Sequence, residues 1–226
     1  RDLVAVMPSI ESGPPLRILD IGGGLGQFTV RLAALGHSVV YNDVSAEMYQ
    51  KAQNLAQQQS LDTQISWHHS PYQDLDNLGQ FDLVLCHAVI EWLAHPGSLV
   101  AHIRRFVAEG GRLSLAFYNQ NGLVYRNLIR GNFRLLEADF KPDIGSLTPI
   151  HPLLPAQVAA WLEASELSPC WSSGIRVFND YVTTVRGGHE DPQSVIEMEL
   201  KYSLIEPYKW LGRYIHFIAV TELSRP

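Results

Sequence analysis

The residues best suited to chemistry lie in a glycine-rich stretch near the start of the chain. A run of apolar residues, 18–21, carries one acidic residue, Asp20, and four glycines then occupy five positions, 22–26. Glycine adopts left-handed backbone conformations, and without a Cβ it lets a ligand approach the main chain. The pattern predicts a buried parallel strand, a tight turn and the start of a helix whose first amides face a ligand.

The spacing of these glycines does not fit a dinucleotide-binding loop. Such a loop needs Gly-x-Gly-x-x-Gly, but the last position is Gln27 when counted from Gly22 and Thr29 when counted from Gly24. A carboxylate at Asp20 would also repel a pyrophosphate, whereas it could accept hydrogen bonds from an ammonium group. The stretch instead resembles the first motif of class I S-adenosylmethionine-dependent methyltransferases, which holds the methionine part of the cofactor. That resemblance implies cofactor contacts at Asp20, Gly22, Gly23 and Gly24.

A second acidic residue, Asp43, follows a predicted second strand at residues 38–41. It lies about 20 residues beyond the glycines, where a carboxylate can bind both hydroxyls of a ribose. Ribose is common to many nucleosides, so Asp43 supports an adenosine-type cofactor without identifying it. The alternative is structural, because Asp43 or Ser45 would also serve as the cap of a helix predicted at residues 46–59.

The elements that must position these residues alternate along the chain. Strands are predicted at 17–21, 38–41, 65–68, 81–85 and 113–118, with helices at 27–35, 46–59 and 96–107. Such alternation predicts a doubly wound parallel sheet that binds ligands at the carboxyl ends of its strands. Five side chains fall at those ends: Asp20, Asp43, Gln73, His87 and Tyr118.

Beyond Tyr118 the pattern changes. Helices are predicted at 155–166 and 192–205, and strands at 173–181 and 213–221. The fold class predicted is α/β: a doubly wound, mostly parallel, seven-stranded Rossmann-like methyltransferase sheet, with helical inserts near the C-terminal half. We expect one domain over 1–226, in which 12–118 binds the cofactor and 119–226 holds substrate-recognition inserts and the closing strands.

Composition limits the classes of protein. With 226 residues, 46% of them hydrophobic, and a net charge of −6, the chain suits one large domain that does not bind nucleic acid indiscriminately. Cys86 and Cys170 form neither a CxxC pair nor a disulfide framework, so we expect reduced thiols, no metal and a cytoplasmic location. No apolar run approaches the roughly 20 residues of a membrane span, so no membrane partner is expected. Because the chain starts at Arg1 and not at methionine, we expect a preceding segment.

Six later motifs are more particular than the glycine turn. They are 87–93 (HAVIEWL), 116–123 (AFYNQNGL), 127–133 (NLIRGNF), 147–149 (LTP), 174–181 (GIRVFNDY) and 211–216 (LGRYIH). Together they resemble the bacterial tRNA 5-carboxymethoxyuridine methyltransferase family, and the similarity runs from about Leu16 to Thr221. That family methylates the carboxylate of 5-carboxymethoxyuridine at the tRNA wobble position, giving a methyl ester. The resemblance implies S-adenosylmethionine as cofactor and the tRNA anticodon loop as partner.

The resemblance also implies individual cofactor contacts. Carried over by motif, they fall on Gly22, Gly23, Asp43, Val44, Tyr72, Gln73 and His87. Residues near Gln73 could reach the adenine, although Asp74 could equally cap a turn, and His87 could equally cap a helix start. This chain departs from the family in two ways. The sequence begins after the family's N-terminal segment, which carries a further cofactor-binding arginine, and of a lysine-rich run before 147–149 only Lys141 remains, beside Asp139 and Asp143.

The implied chemistry is an in-line attack by a carboxylate on a sulfonium methyl group. A carboxylate is ionised near pH 7, so no general base is expected and catalysis would come from positioning. Arginine can bind one edge of the acceptor carboxylate, so Arg176 and Arg213 are predicted to position it. Tyr118 is predicted to help position it as well. The alternatives are an ion pair of Arg176 with Asp180, a strand-edge salt bridge for Arg213 and core packing for Tyr118. Two further partners are considered, Tyr214 and His216, the latter with a core histidine as its alternative.

A basic stretch supports an RNA partner. Between Glu109 and Glu137 there is no acidic residue, yet the stretch contains four arginines. Three of them, Arg126, Arg130 and Arg134, are four apart, so on one helix they would line one side and could meet phosphates. Gly131 could break that helix, and a solvated basic face is the alternative.

Three other classes remain open. A methyltransferase for a quinone precursor or a small acid would share the cofactor half, so only the inserts and the arginines discriminate. An NAD-dependent oxidoreductase is disfavoured by the glycine spacing, and a non-catalytic tRNA-binding module would keep the pocket without turnover. Labelled S-adenosylmethionine offered with undermodified or carboxymethoxylated tRNA separates them.

Overall fold

Seven strands form one sheet in the computed structural model, which describes residues 1–137, 149 and 151–221. The strands are β1 (Arg17–Ile21), β2 (Ser38–Asp43), β3 (Ile65–His69), β4 (Phe81–His87), β5 (Val107–Tyr118), β6 (Leu167–Ile175) and β7 (Tyr214–Thr221). Their order is β3-β2-β1-β4-β5-β7-β6. The first five run parallel, and β7 pairs antiparallel with both β5 and β6. The predicted fold class is confirmed.

Helices cover both faces of the sheet. They are α1 (Asp2–Val6), α2 (Ser9–Ser12), α3 (Gln27–Ala34), α4 (Ala46–Gln58), α5 (Pro96–Arg104), α6 (Gln120–Arg130), α7 (Phe133–Glu137), α8 (Pro155–Ala164) and α9 (Pro192–Tyr202). Successive side chains of a strand point to opposite faces. Ile18 therefore joins the core that contains Ala33 of α3, whereas Leu19 joins the core that contains Leu99 of α5. Burial on both faces explains the continuous apolar run of β1.

The sixth and fifth strands differ most from their predicted ranges. The sixth strand was predicted at 173–181, but it spans Leu167–Ile175 and ends there because Arg176 takes a left-handed conformation (φ 56°) and breaks the extended backbone. The fifth strand begins at Val107, earlier than predicted. The register of its pairing with β4 shifts between Phe81 and Leu83. Gly110 lies in the part of β5 opposite this shift and takes a left-handed conformation (φ 69°).

The three arginines predicted on one helix do not share one. Helix α6 ends at Arg130, and Gly131 caps its C-terminus in a left-handed conformation (φ 71°). Arg134 lies on the separate helix α7. The expectation of a single stripe was therefore wrong, and the glycine that could break the helix does so.

Some sequence features fall outside the described residues. These are Asp139, Lys141, Asp143, Leu147 and Thr148, whereas Pro149 is described and buried. None of the described helices is both long and apolar enough to cross a membrane.

Candidate active site

The crevice of the sheet lies where the strand order reverses, between β1 and β4. In doubly wound sheets this is where ligands bind, outside the carboxyl ends of the strands. A cavity of about 810 Å³ opens there, within the range of ligand pockets. It is lined by most of the predicted cofactor contacts: Gly22, Gly24, Asp43, Val44, Tyr72, Gln73 and His87. The structure therefore brings these residues together.

The glycines of the turn serve two different purposes. A Cβ on Gly22 would overlap the side chain of Val89, and a Cβ on Gly23 would lie 2.6 Å from the ring of Tyr41. These two glycines are required by packing. Gly24 takes φ 54°, and a Cβ there would meet nothing within 4 Å. Its missing side chain leaves room on the cavity side, where a ligand can approach the backbone.

Asp43 spans the gap between the ends of β1 and β2. Its Oδ2 accepts a hydrogen bond from the Gly24 amide (2.9 Å), and its Oδ1 accepts one from the Ser45 amide (2.8 Å). The cap of α4 is Ser45, whose Oγ accepts from the Met48 amide at 3.3 Å. Each carboxylate oxygen of Asp43 keeps a further lone pair, so the side chain can still accept hydrogen bonds from a ligand in the cavity.

Asp20 lies behind the turn and does not line the cavity. Its Oδ2 accepts a hydrogen bond from the Thr29 hydroxyl at 2.6 Å, which ties β1 to α3. Burial raises the pKa of the Asp20 carboxyl to about 6, with a smaller contribution from the charge of Asp43. Its predicted contact with an ammonium group stays a prediction, and its position shows a role in fixing the turn.

His87 stands in the wall between two cavities. Together with Ala88, which takes φ 57°, it lines both the larger cavity and a second one of about 420 Å³. It does not cap a helix, because the 3₁₀ helix Ile90–Trp92 has no side-chain cap. Burial, together with the nearby His216, lowers the pKa of the His87 imidazole to about 3, so the ring is neutral at pH 7.

The second cavity was not predicted from the sequence. Its walls are mostly apolar or aromatic and include Phe28, Ala116, Ile175, Leu200, Tyr214 and His216. Arg1 also lines it, but the Arg1 guanidinium already binds Asp2, the Leu200 carbonyl and the Ser203 hydroxyl. The lining of this cavity suits a largely apolar or aromatic group, and the cavity adjoins the first one at His87 and Ala88.

The residues predicted to position an acceptor lie next to this cavity and not inside it. The rings of Tyr118 and Tyr214 are 5.6 Å apart, and the Arg213 guanidinium lies 5.9 Å from each. Arg213 also pairs with Asp180 at 3.3 Å. Arg176 is exposed and lies 3.8 Å from the same carboxylate, which is the ion pair considered as its alternative.

Four arginines from three parts of the chain converge around Asp180. Besides Arg176 and Arg213, Arg130 donates to the Asp180 backbone carbonyl (3.1 Å), and Arg126 lines a small crevice with Asp180 and Arg213. The carboxylate of Glu199 lies nearby but is held by the backbone amides of residues 177–179. We call Arg126, Arg130, Arg176 and Arg213 the arginine cluster. The surface around it therefore carries more positive than negative charge.

The fold and the cavities define a class of protein. A family model described as "Methyltransferase domain" matches residues 19–115. The magnesium protoporphyrin IX methyltransferase of Synechocystis PCC 6803, solved with bound SAH, is similar over 97% of this chain and 80% of its own, with a TM-score of 0.64 and 18% identity. An S-adenosylmethionine-dependent methyltransferase from Mesorhizobium loti gives a TM-score of 0.65 and 16% identity over 96% and 95% of the two chains. These likenesses show the fold of such methyltransferases, and together with the sequence relative described next they show that the protein is an S-adenosylmethionine-dependent methyltransferase, as predicted.

Sequence similarity identifies the family. The tRNA 5-carboxymethoxyuridine methyltransferase of Escherichia coli K12 is 38% identical over 213 residues, which are 92% of this chain and 82% of that protein. The chain belongs to the tRNA 5-carboxymethoxyuridine methyltransferase family. A ubiquinone biosynthesis O-methyltransferase of Xanthomonas oryzae is 28% identical over 159 residues, covering 67% and 62% of the two chains.

The larger cavity fits S-adenosylmethionine on this structure's own geometry. The space beyond Gly24 leaves room for a ligand at the backbone, and Asp43 offers free lone pairs to hydroxyl donors. Among the residues that the structure describes, no group of three or more His, Cys, Asp and Glu side chains is arranged to hold a metal ion.

Proposed function

We propose that this enzyme methylates the carboxylate of 5-carboxymethoxyuridine at the wobble position of tRNA and so forms the methyl ester. The observation that carries the proposal is the pair of adjoining cavities, which share His87 and Ala88 as a common wall. One cavity fits the methyl donor, and the other has room for a flat base beside it. The name of the E. coli relative supports tRNA as the substrate, and a tRNA substrate implies action in the cytoplasm.

The methyl donor, when bound, supplies a methyl group on a positively charged sulfur. Asp43 would accept hydrogen bonds from its ribose hydroxyls, and the turn at Gly22–Gly24 would hold its methionine part. Val44, Tyr72 and Gln73, which also line the cavity, would then contact its base. Because His87 in the shared wall is neutral, it would not repel the positively charged sulfur of a methyl donor held in the larger cavity.

The acceptor needs no general base, because its carboxylate is already ionised at neutral pH. Phe28 and Tyr214 offer aromatic surfaces against which a splayed-out pyrimidine can stack in the smaller cavity. Tyr118 and Arg213, which lie against Tyr214, position the acceptor from its outer side. The rate enhancement then comes from holding the attacking oxygen in line, an effect worth up to roughly 7–11 kcal/mol in well-oriented reactions.

The arginine cluster is the proposed contact for the RNA backbone. Arg126, Arg130 and Arg176 lie with Arg213 around Asp180, and Arg213 contacts Tyr214 at the edge of the smaller cavity, which we call the acceptor cavity. Positive charge there compensates for the overall acidic chain, since phosphate contacts supply most of the affinity of proteins for nucleic acids. Arg134, on its own helix, is retained as a further contact with RNA.

Methyl transfer to defined tRNAs tests the proposal. The protein is incubated with methyl-labelled S-adenosylmethionine and tRNA whose wobble uridine either carries or lacks the carboxymethoxy group. We expect label only in the carboxymethoxylated tRNA, released as methanol by mild base because an ester has formed. Label in both tRNAs, or turnover only of a small quinone precursor or acid, would contradict the proposal.

A further inference from the structure

Four side chains from four different elements form a continuous hydrogen-bond chain behind the acceptor cavity. Asp2 of α1 binds His216 of β7 (Oδ2 to Nδ1, 3.0 Å), and His216 binds Ser114 of β5 (Nε2 to Oγ, 2.8 Å). Ser114 then binds His87 of β4 (Oγ to Nε2, 2.8 Å). We call Asp2, His216, Ser114 and His87 the relay. It ends at the wall that the two cavities share.

One end of the relay has a fixed charge. Although burial by itself raises the pKa of the Asp2 carboxyl, hydrogen bonds from His216, Ser173 and Arg1 lower it well below its usual value. Asp2 is therefore a carboxylate at neutral pH, and a carboxylate only accepts hydrogen bonds. Consequently His216 must carry its proton on Nδ1.

The directions of the remaining bonds depend on how many protons His216 holds. With a single proton, on Nδ1, its Nε2 is bare and accepts the hydroxyl proton of Ser114. Ser114 has only that one proton, so its oxygen accepts from His87, which must carry a proton on Nε2. The Nδ1 atom of His87 is then bare, and it makes no hydrogen bond to any of the described residues.

We propose that His216 holds a single proton and that the relay thereby keeps His87 as the Nε2-protonated tautomer, so that its bare Nδ1 accepts a hydrogen bond from an N–H group of a bound ligand. Asp2, His216 and Ser114 are positioning residues that act through His87. Two ligands carry such a donor: the ammonium group of the methyl donor and the ring imide of a uridine acceptor. The uridine arm depends on the proposed function, whereas the tautomer itself does not.

The burial of the relay makes such a bias effective. Ser114 is fully buried and His216 is 7% exposed, so water does not compete for their hydrogen bonds. Without the relay, the two neutral tautomers of an imidazole would be chosen by whatever solvent or ligand is nearby. With the relay, His87 presents a hydrogen-bond acceptor at Nδ1 before any ligand arrives, so binding does not have to select the tautomer.

The test measures the tautomer directly. The ¹⁵N spectrum of the histidine-labelled protein at pH 8 is recorded for the wild type, Ser114→Ala and Asp2→Asn. We expect His87 Nδ1 in the wild type to show the shift of an unprotonated ring nitrogen, and both variants to show averaged shifts of mixed tautomers. A wild-type His87 protonated on Nδ1, or a tautomer unchanged in both variants, would overturn the inference.

Ligand titrations then identify the donor. We expect Ser114→Ala to weaken either S-adenosylmethionine or carboxymethoxylated tRNA by about three- to tenfold, as the loss of one hydrogen bond predicts. Thr221→Val is the matched control, since Thr221, like Ser114, is a buried hydroxyl residue of the sheet, but its hydroxyl donates to the Ala108 carbonyl, away from the relay. It should leave the His87 spectrum and both affinities unchanged. Unchanged affinities for both ligands in Ser114→Ala would overturn the inference even if the tautomer shifts.

Discussion

The carboxylate of Asp43 holds the backbone amide of Gly24 at 2.9 Å, and this bond joins the ends of two neighbouring parallel strands. The glycine turn after β1 and the acidic end of β2 are therefore one unit. A ligand that reaches the turn also meets the carboxylate, and both face the same cavity.

Asp43→Asn is expected to weaken S-adenosylmethionine binding by about ten- to a hundredfold, because the side chain loses its charge and hydrogen bonds to charged groups contribute roughly 1.5–3 kcal/mol. The measurement is isothermal titration with the cofactor. Asp76→Asn, which removes an exposed carboxylate paired with Arg105, is the control and should bind normally. Normal binding by Asp43→Asn would remove Asp43 from the cofactor site.

The two neighbouring glycines should fail in different ways. Gly23→Ala is expected to lower the melting temperature, since its Cβ would lie 2.6 Å from the Tyr41 ring. Gly24→Ala meets no atom within 4 Å, so beyond a backbone strain of about 1–2 kcal/mol its main effect should be on cofactor affinity. Thermal unfolding and cofactor titration of both variants check this contrast, and the opposite pattern would contradict it.

Glu91 should make the folded state less stable as pH rises. It is 1% exposed and its Oε2 has no partner among the described residues, and burial raises the pKa of its carboxyl from 4.5 to about 7. The folded protein keeps this proton where the unfolded chain loses it, so the contribution is present below pH 4.5 and disappears as pH rises through about 7. Asp20 acts in the same direction.

Glu91→Gln mimics the protonated side chain and should remove this dependence. At pH 8 we expect the variant to be roughly 1–3 kcal/mol more stable than the wild type, and at pH 4.5 about equal to it. Urea unfolding across this pH range provides the measurement. Glu163→Gln, on the exposed side of α8, should keep the wild-type slope, and a wild-type slope in Glu91→Gln would refute the assignment.

Reversing charges in the arginine cluster should weaken tRNA binding and its salt dependence together. For Arg126→Glu with Arg130→Glu, we expect the slope of log affinity against log salt to fall by about 0.7–0.9 for each phosphate that the variant no longer neutralises. Arg31→Glu, exposed on α3, is the control. An unchanged affinity and slope in the double variant would exclude the cluster as an RNA surface.

Features of the fold that depend on residues close together in the chain could be predicted from the sequence. Apolar runs and glycines located β1 and its turn, because a buried strand and a left-handed turn leave local signatures. The same reasoning failed at Arg176, whose left-handed conformation ends β6 although nothing in its residue type requires it. The cofactor cavity was predictable since each of its residues follows its own strand.

The acceptor cavity and the relay could not be predicted in this way. Asp2 and His216 are separated by almost the entire chain, and they meet only because β7 pairs with β5 in one register, with His216 opposite Ala116. A shift of one residue would turn His216 to the other face of the sheet. Contacts of this kind depend on the tertiary structure and leave no local pattern in the sequence.

The insertion of β7 between β5 and β6 has a consequence for biosynthesis. The ribosome makes β1 to β4, whose carboxyl ends lie at the larger cavity, first, but Tyr214 and His216 emerge after every other described strand. Strand β6 pairs with no strand except β7 within the described sheet, so it has no place to dock until then. The smaller cavity, which Tyr214 and His216 line, is thus complete only when the final strand has been inserted between β5 and β6.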